Sequence, residues 1–212
     1  MEIIRLENII KKYHNKPVLN HVSLSFDKGS SVAFVGHNGC GKSTLLKCIA
    51  GLIAPDEGKV VYAMPLLFHY IPEKFPPTVL TAREYLMRMG EISGIRREEV
   101  KQSIAALGKD FFMEELLDTP MNVLSKGTLQ KVGVIQALLK RPDVLLLDEP
   151  LSGQDEESQK VFIEKMNRLR NDEVTIFMAC HEKGLVEAIA EDVYVFREGS
   201  PEKTVKQNKK EE

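Results

Sequence analysis

Along this chain, short apolar runs alternate with longer segments of helical character. Four runs are almost wholly apolar, which is typical of strands buried on both faces; they lie at residues 32–35, 144–147, 174–179 and 193–196. Four other segments follow or precede them with helical character, at residues 45–50, 126–140, 156–170 and 183–190. This alternation predicts an α/β fold, with a mostly parallel sheet covered by helices on both faces.

The N-terminal part of the chain has a different pattern. Residues 2–10 and 21–27 are predicted as strands, and residues 21–26 alternate with period two, as expected for a half-buried antiparallel strand. The polar stretch 11–17 between them predicts a hairpin-like connection. Further strands are predicted at 59–63 and 66–71, so an antiparallel β part accompanies the parallel sheet.

A helical insert interrupts the α/β pattern in the middle of the chain. It begins at Thr81, where Thr81-Ala82-Arg83-Glu84 has the order of a capping box, and continues to about Leu117. We therefore predict one domain in which an α-helical lobe is inserted into the core. The predicted parts are residues 1–72 and 129–200 for the core, 73–128 for the lobe and 201–212 for a flexible tail.

Composition narrows the class of protein. The chain has 212 residues, is 43% apolar and carries a formal net charge of −2, so broad nucleic-acid binding through a basic surface is not expected. Three cysteines without a C-x-x-C pair favour a reducing compartment. No apolar run approaches the ~20 residues of a membrane span, and the first residues do not resemble a signal peptide. A cytosolic protein is expected, unless a partner holds it at a membrane.

The strongest chemical signal follows the first buried strand. Gly36-His37-Asn38-Gly39-Cys40-Gly41-Lys42-Ser43-Thr44 has the G-x-x-x-x-G-K-[ST] spacing of a phosphate-binding loop. Its glycines let successive backbone N–H groups face one anion, and the helix that follows directs its positive end to the same point. Lys42 can reach the outer phosphates, and the Ser43 hydroxyl can hold Mg²⁺. The loop predicts binding of a nucleoside triphosphate.

Two further strand ends carry candidate catalytic groups. Asp148 and Glu149 follow the apolar strand 144–147, and the carboxyl ends of parallel strands are where ligands bind. Asp148 suits the Mg²⁺ shell, whereas Glu149 suits polarising an attacking water. His181 follows the strand 174–179, where it either has a structural role or contacts a γ-phosphate and the catalytic water.

Two residues near the loop have an ordinary and a functional interpretation. Tyr13 is either a surface aromatic of a turn or the residue that stacks on adenine. Cys40 lies inside the phosphate cradle near a helix N-terminus that would favour its thiolate. It is either a small inert residue or a thiol whose alkylation blocks the site.

The sequence resembles the ATP-binding-cassette (ABC) ATPase family over about residues 2–199. The decisive segment is Leu124-Ser125-Lys126-Gly127-Thr128-Leu129-Gln130-Lys131, which is similar to the family's LSGGQ signature and precedes the carboxylate strand. The order of the motifs is equally specific: aromatic residue, phosphate loop, helical insert, signature, carboxylates, histidine.

The resemblance implies a role for each candidate residue. Tyr13 stacks on adenine, and residues 36–44 hold the phosphates of ATP. Mg²⁺ is bound by Ser43, Glu73 and Asp148, and the catalytic residues are Lys42, Glu149 and His181. The signature residues Ser125 and Gly127, with Asp155 of the segment Ser152-Gly153-Gln154-Asp155, contact the nucleotide of a second cassette in a head-to-tail dimer.

Two departures from the family pattern indicate a branch. The signature has Lys126 and Thr128 where the family has glycine and glutamine, and Glu73 replaces a glutamine. Lys126 either adds charge near the phosphates or points to solvent. Both features resemble cassettes that serve drug, antibiotic and haem exporters with separate membrane subunits. The chain also stops soon after its last predicted strand, so a C-terminal regulatory domain is not expected.

The function implied by this resemblance is an exporter ATPase subunit, peripheral on the inner face of the membrane. Its expected partners are a transmembrane permease and a second, similar or identical, cassette. A soluble ABC ATPase without a transport role, or a regulatory cassette with weak hydrolysis, is the alternative.

Overall fold

The computed structural model describes residues 1–75, 78–151 and 153–204. Its strands are β1 Glu2–Tyr13, β2 Lys16–Asp27, β3 Ser31–Val35, β4 Glu57–Tyr62, β5 Phe68–Ile71, β6 Val144–Asp148, β7 Thr175–Ala179, β8 Asp192–Arg197 and β9 Ser200–Thr204. Its α-helices are α1 Lys42–Ile49, α2 Ala82–Ile92, α3 Arg97–Asp110, α4 Lys126–Leu139, α5 Glu156–Asn171 and α6 Lys183–Ile189. Short 3₁₀ turns lie at Glu114–Leu116 and Met121–Val123.

Two sheets form the framework. The larger has the order β5-β6-β7-β3-β8-β9, and its neighbouring strands are parallel except for β9, which is antiparallel to β8. The smaller, β2-β1-β4, is antiparallel. This confirms the predicted α/β fold with an N-terminal antiparallel part. Because β3, β6 and β7 are adjacent and parallel, the loops that follow them meet at one edge of the sheet.

Each face of the parallel sheet carries its own apolar core. Alternate side chains of β6 point to opposite faces, so that Leu145 and Leu147 lie in one cluster and Val144 and Leu146 in the other. The second cluster joins the sheet to α1 and to the antiparallel strands. The first joins it to α4, α5 and the helical insert, whose Leu86, Val100 and Ile104 are fully buried there.

The helical lobe shares this apolar cluster with the sheet, α4 and α5. The predicted division between residues 128 and 129 falls in the first turn of α4, which starts at Lys126. The helical insert predicted over 81–117 contains two α-helices, because α2 ends at Ile92 and Gly94 takes a left-handed conformation before α3.

The N-terminal hairpin is tighter than predicted. The strands extend to Tyr13 and begin again at Lys16, so residues 11–17 are not a long connection. His14 and Asn15 alone form the turn, with φ of 49° and 61°. Two successive left-handed residues are the requirement of a type I′ hairpin, whose twist matches that of the flanking strands.

The predicted flexible tail begins too early. Residues 201–204 belong to β9, in which Pro201 pairs with Phe196 and Glu202 with Val195. Only Pro201 of this edge strand is buried, and its sequence is mostly polar. The strand therefore has no apolar run by which it could be predicted. Pro76, Pro77, Ser152 and residues 205–212 lie outside the described residues. Within the described ranges, no helix combines the length and apolarity needed to cross a membrane.

Candidate nucleotide-binding site

The phosphate loop has the predicted strand–loop–helix geometry. It leaves β3 after Val35 and enters α1 at Lys42. Gly41 precedes the helix with φ of 116°, and a Cβ there would lie 2.6 Å from the carbonyl oxygen of Val18. Both the dihedral angle and the contact require glycine. Glycine at position 41 thus allows the loop to turn directly into α1.

Lys42 lies inside the curl of this loop. Its side chain is buried, and Nζ donates to the carbonyl oxygens of Gly36 at 2.8 Å and His37 at 3.2 Å. Burying an ammonium group without partners would be costly. The two hydrogen bonds offset this cost and hold the group at the base of the loop. The geometry thus provides the fixed cation that a phosphate group needs.

Asp148 is held between two hydroxyl groups. Ser43 Oγ donates to Asp148 Oδ1 at 2.7 Å, and the hydroxyl of Tyr70 donates to Oδ2 at 2.9 Å. Burial, followed by the nearby Asp148 charge, raises the pKa of Tyr70, so that this residue stays a neutral donor. The carboxylate of Asp148 is thereby fixed in orientation beside the first turn of α1.

The donor set around Asp148 fits magnesium. Asp148 Oδ1 and Ser43 Oγ lie 2.7 Å apart, and Glu73 lines a cavity together with Ser43. Among the described residues, no group of three or more His, Cys, Asp or Glu side chains could hold a metal ion. Mg²⁺ is usually bound by one or two carboxylates together with substrate phosphates and waters; Ser43, Glu73 and Asp148 stay its predicted ligands.

Glu149 and His181 form a second pair at the same edge. Glu149 Oε2 lies 3.0 Å from His181 Nδ1, and the glutamate side chain is only 14% exposed whereas that of the histidine is 64% exposed. Glu149 has φ of 51°, and its N–H donates to the carbonyl oxygen of Ala179 at 2.9 Å. A left-handed glutamate is strained, and such strain concentrates at functional sites.

The predicted residues converge on a cavity of about 430 Å³, a volume within the usual range for small-molecule sites. It is lined by Val18, Asn38, Gly39, Gly41, Lys42, Ser43, Thr44, Glu73, Lys126, Glu149 and His181. The cavity therefore brings together the phosphate loop, Glu73 and the two catalytic candidates Glu149 and His181. Asp148 is connected to it by the hydrogen bond from Ser43.

Several predicted ligands lie apart from the lining of this cavity. Tyr13, at the end of β1, is 46% exposed, and Lys11 Nζ lies 6.0 Å from its ring centroid. Cys40 is buried in the loop against Gly36, where a Cβ would meet its Sγ at 2.9 Å. His37 Nδ1 is within 2.9 Å of the carbonyl oxygen of Asn38. Nucleotide contacts of these residues stay predictions.

The signature segment is bonded to its own chain. Ser125 is the N-cap of α4, where its Oγ accepts from the Thr128 N–H at 3.2 Å. A Cβ at Gly127 would lie 2.1 Å from the carbonyl oxygen of Gly153, so the loop after β6 approaches this helix closely. Asp155 caps α5 and lies 3.0 Å from Lys131 Nζ.

Two polar residues near the cavity were missed by sequence reasoning. Tyr70 contacts Asp148 only because β5 lies beside β6, and no local pattern indicates that strand order. Gln130 is buried in α4, and its Nε2 donates to the carbonyl oxygens of Pro72 and Glu73 at 2.9 and 2.8 Å. The sequence signal that could have indicated this contact was a glutamine on the apolar face of the predicted helix 126–140.

Fold and site together define a class: an α/β nucleotide-binding domain of the phosphate-loop type. Residues 19–152 match the family model described as ABC transporter, which is more than half of the chain. The chain belongs to the ABC transporter family.

Relatives and solved structures agree with this assignment. The chain is 30% identical to the ABC transporter ATP-binding protein NatA of Bacillus subtilis (strain 168), over 93% of this chain and 87% of that protein. It is 33% identical to the zinc import ATP-binding protein ZnuC of Vibrio parahaemolyticus, over 94% and 77%. A structure described as the ATP binding subunit of an ABC transporter matches with a TM-score of 0.87 and 27% identity, over 97% of this chain and 91% of that one.

Proposed function

We propose that this chain is the ATP-hydrolysing subunit of an ABC transporter, which drives substrate movement through a separate transmembrane subunit. The observation that carries the proposal is the Glu149–His181 pair, which lines the same cavity as the phosphate loop. A carboxylate that is mostly buried, strained and paired with histidine is suited to orient a water and accept its proton. The same cavity holds the fixed charge of Lys42.

The residues divide the work of hydrolysis. Backbone N–H groups of residues 36–44 and the Lys42 ammonium bind the phosphates of ATP. Ser43, Asp148 and Glu73 would hold Mg²⁺, which supplies charge neutralisation on the phosphate oxygens. Glu149 orients the attacking water, while His181 fixes the direction of the carboxylate and contacts the γ-phosphate. Tyr13 stacks on adenine.

A second cassette completes the site in this proposal. Ser125, Gly127 and Asp155 do not line the cavity of their own chain, and Ser125 begins a 14-residue helix whose N-terminus can bind phosphate. We place these three residues against the nucleotide of a partner cassette, head to tail. ATP would then join the two cassettes, and hydrolysis would release them. The subunit is peripheral at the inner membrane face through its permease.

Two directions of transport have support. Export is favoured by the resemblance of Glu73 and Lys126 to cassettes of drug, antibiotic and haem exporters. Import is the second candidate, because several relatives that are at least 30% identical over most of this chain are zinc import ATP-binding proteins. Transport of a labelled substrate into or out of vesicles that contain the permease and the cassette distinguishes the two.

Substitution of Glu149 tests the catalytic proposal. Glu149→Gln keeps the shape but removes the base, so turnover of ATP is expected to fall by ~10²- to 10⁴-fold. Affinity for ATP should stay within about two-fold, since the phosphate loop is intact. The measurements are phosphate release and equilibrium nucleotide binding, with Glu187→Gln on the exposed face of α6 as the control.

The same assay separates the alternatives. Near-normal turnover of Glu149→Gln would remove this residue from the base role. Wild-type turnover as low as that of the variant would favour a regulatory cassette. Turnover that does not change when the permease is added would favour a soluble ATPase without a transport role.

A further inference from the structure

Two charged residues face each other at the edge of the phosphate cavity. Lys126 Nζ lies 3.0 Å from Glu73 Oε1, and both side chains line the cavity together with Lys42 and Ser43. Glu73 belongs to the loop after β5, whereas Lys126 is the first residue of α4. The contact therefore joins the sheet edge to the helix that begins with the signature segment.

The backbone around Glu73 is fastened to the same helix. Gln130, one turn further along α4, donates from Nε2 to the carbonyl oxygens of both Pro72 and Glu73. The ring of Phe75 packs closely on Gly133 of the same helix. A Cβ at position 133 would lie only 2.4 Å from this ring, so a larger residue would prevent the contact. Since α4 fixes the loop, the direction of the Glu73 side chain is set relative to Lys126.

The charge of Glu73 needs compensation in this position. Lys126 Nζ donates to Glu73 Oε1 at 3.0 Å, so the ammonium charge lies directly beside the carboxylate. The cavity also contains the mostly buried carboxyl group of Glu149. An unpaired carboxylate at the rim would repel the negative charges of a triphosphate.

Compensation of charge, rather than folding stability, is what such a pair can provide. The Lys126 and Glu73 side chains are 43% and 42% exposed. Exposed ion pairs contribute little to folding because water screens them. A ligand that carries several negative charges and displaces water is affected more strongly by the charges that remain around it.

We propose that Lys126 and Glu73 act as one charge-compensated pair, in which Lys126 prevents the Glu73 carboxylate from repelling the triphosphate of the same chain. This rests on the proposed ATP binding. The two departures from the family pattern are then a single feature: a lysine at the start of α4 permits a carboxylate where a neutral amide would otherwise lie.

A double-mutant cycle tests the pair. ATP affinity is measured by calorimetry for the wild type, Lys126→Gln, Glu73→Gln and the double variant, in EDTA and at low ionic strength. Lys126→Gln alone should weaken binding on the order of five-fold, because it leaves the carboxylate unpaired. In the Glu73→Gln background, the same change should alter affinity by less than about two-fold. The effect should shrink in high salt.

Controls keep the outcomes distinct. Lys165→Gln removes a lysine that pairs with Asp110 elsewhere on the surface, and it should leave ATP affinity unchanged. A Lys126→Gln effect of equal size in the wild type and in the Glu73→Gln background would overturn the pair, because Lys126 would then act on phosphate independently. No effect in either background would overturn it too. A wild-type chain that does not bind ATP would refute the proposed function itself.

Discussion

The phosphate-loop region and the signature region use their polar groups in opposite ways. Around the phosphate loop, the candidate side chains contact one another: Ser43 and Tyr70 hold Asp148, and His181 lies against Glu149. Around the signature segment, the predicted ligands contact the scaffold of their own chain. Ser125 caps α4, Asp155 caps α5 and Gly127 packs on Gly153.

This difference has a consequence for mutations. A side chain that is oriented by another functional side chain can be changed with little loss of folding free energy, but the chemistry suffers. A residue that caps a helix, or whose small size permits a close backbone contact, contributes to the folding stability of the ligand-free protein. Substitutions in the signature region should therefore destabilise the nucleotide-free protein, whereas those around Asp148 should change ligand affinity.

Gly127 is expected to give the largest effect on folding. A Cβ at this position would meet the carbonyl oxygen of Gly153 at 2.1 Å, and backbone cannot move aside as a flexible side chain can. Gly127→Ala should lower the free energy of unfolding by about 3 kcal/mol. Urea denaturation of the nucleotide-free protein measures it.

Gly184 provides the matched control for this prediction. It also lies in a helix, α6, but a Cβ there would meet no atom within 4 Å. Gly184→Ala should therefore stabilise the protein by ~0.5–1 kcal/mol, the ordinary gain of alanine over glycine in a helix. Equal effects at the two positions would show that the contact with Gly153 does not limit residue 127.

Tyr70 should affect magnesium more than folding. Tyr70→Phe removes the hydroxyl that donates to Asp148 Oδ2, so the carboxylate loses one of its two orienting bonds. Loss of such a supporting bond typically weakens metal binding by ~10- to 100-fold. We expect about a 10-fold higher Mg²⁺ requirement for ATP binding, with affinity in EDTA unchanged. Calorimetry at several Mg²⁺ concentrations measures both.

Tyr62→Phe separates this role from general loss of a hydroxyl. Tyr62 is 37% exposed and its hydroxyl donates to the carbonyl oxygen of Ile49 at 2.9 Å, a bond of the same length as that of Tyr70. Both variants should lose about 1 kcal/mol of stability. Only Tyr70→Phe should change the Mg²⁺ requirement, and a similar change in Tyr62→Phe would contradict the assignment.

Contacts that follow from local order were predictable from the sequence. The phosphate loop lies between a strand and a helix that adjoin it in the chain, and Asp148, Glu149 and His181 end neighbouring parallel strands. Because a parallel sheet brings such ends to one edge, their convergence follows from the pattern of apolar runs. The family resemblance added the ligand and catalytic roles, and all of these roles remain predictions.

Contacts that depend on strand order or on packing between distant segments were not predictable. Tyr70 reaches Asp148 through the pairing of β5 with β6, and Lys126 reaches Glu73 because α4 packs beside the loop after β5. The edge strand β9 was also missed, since its polar residues lack any apolar pattern. In each case the decisive neighbour is far away in the sequence, and neither residue indicates it.

Asp155 should give a modest effect on folding, with a dependence on pH. It accepts from the N–H of Ser158 at 2.8 Å and lies 3.0 Å from Lys131 Nζ; these contacts, the Ser158 bond foremost, lower its pKa. A lowered pKa in the folded state stabilises the protein above the ordinary pKa of aspartate, and this stabilisation is lost as pH falls. Asp155→Ala should cost about 1 kcal/mol at pH 7 and less in acid. Asp155→Asn retains a cap without the charge, so it should lose the pH dependence but little stability, and a wild-type-to-alanine difference that is constant with pH would contradict this role.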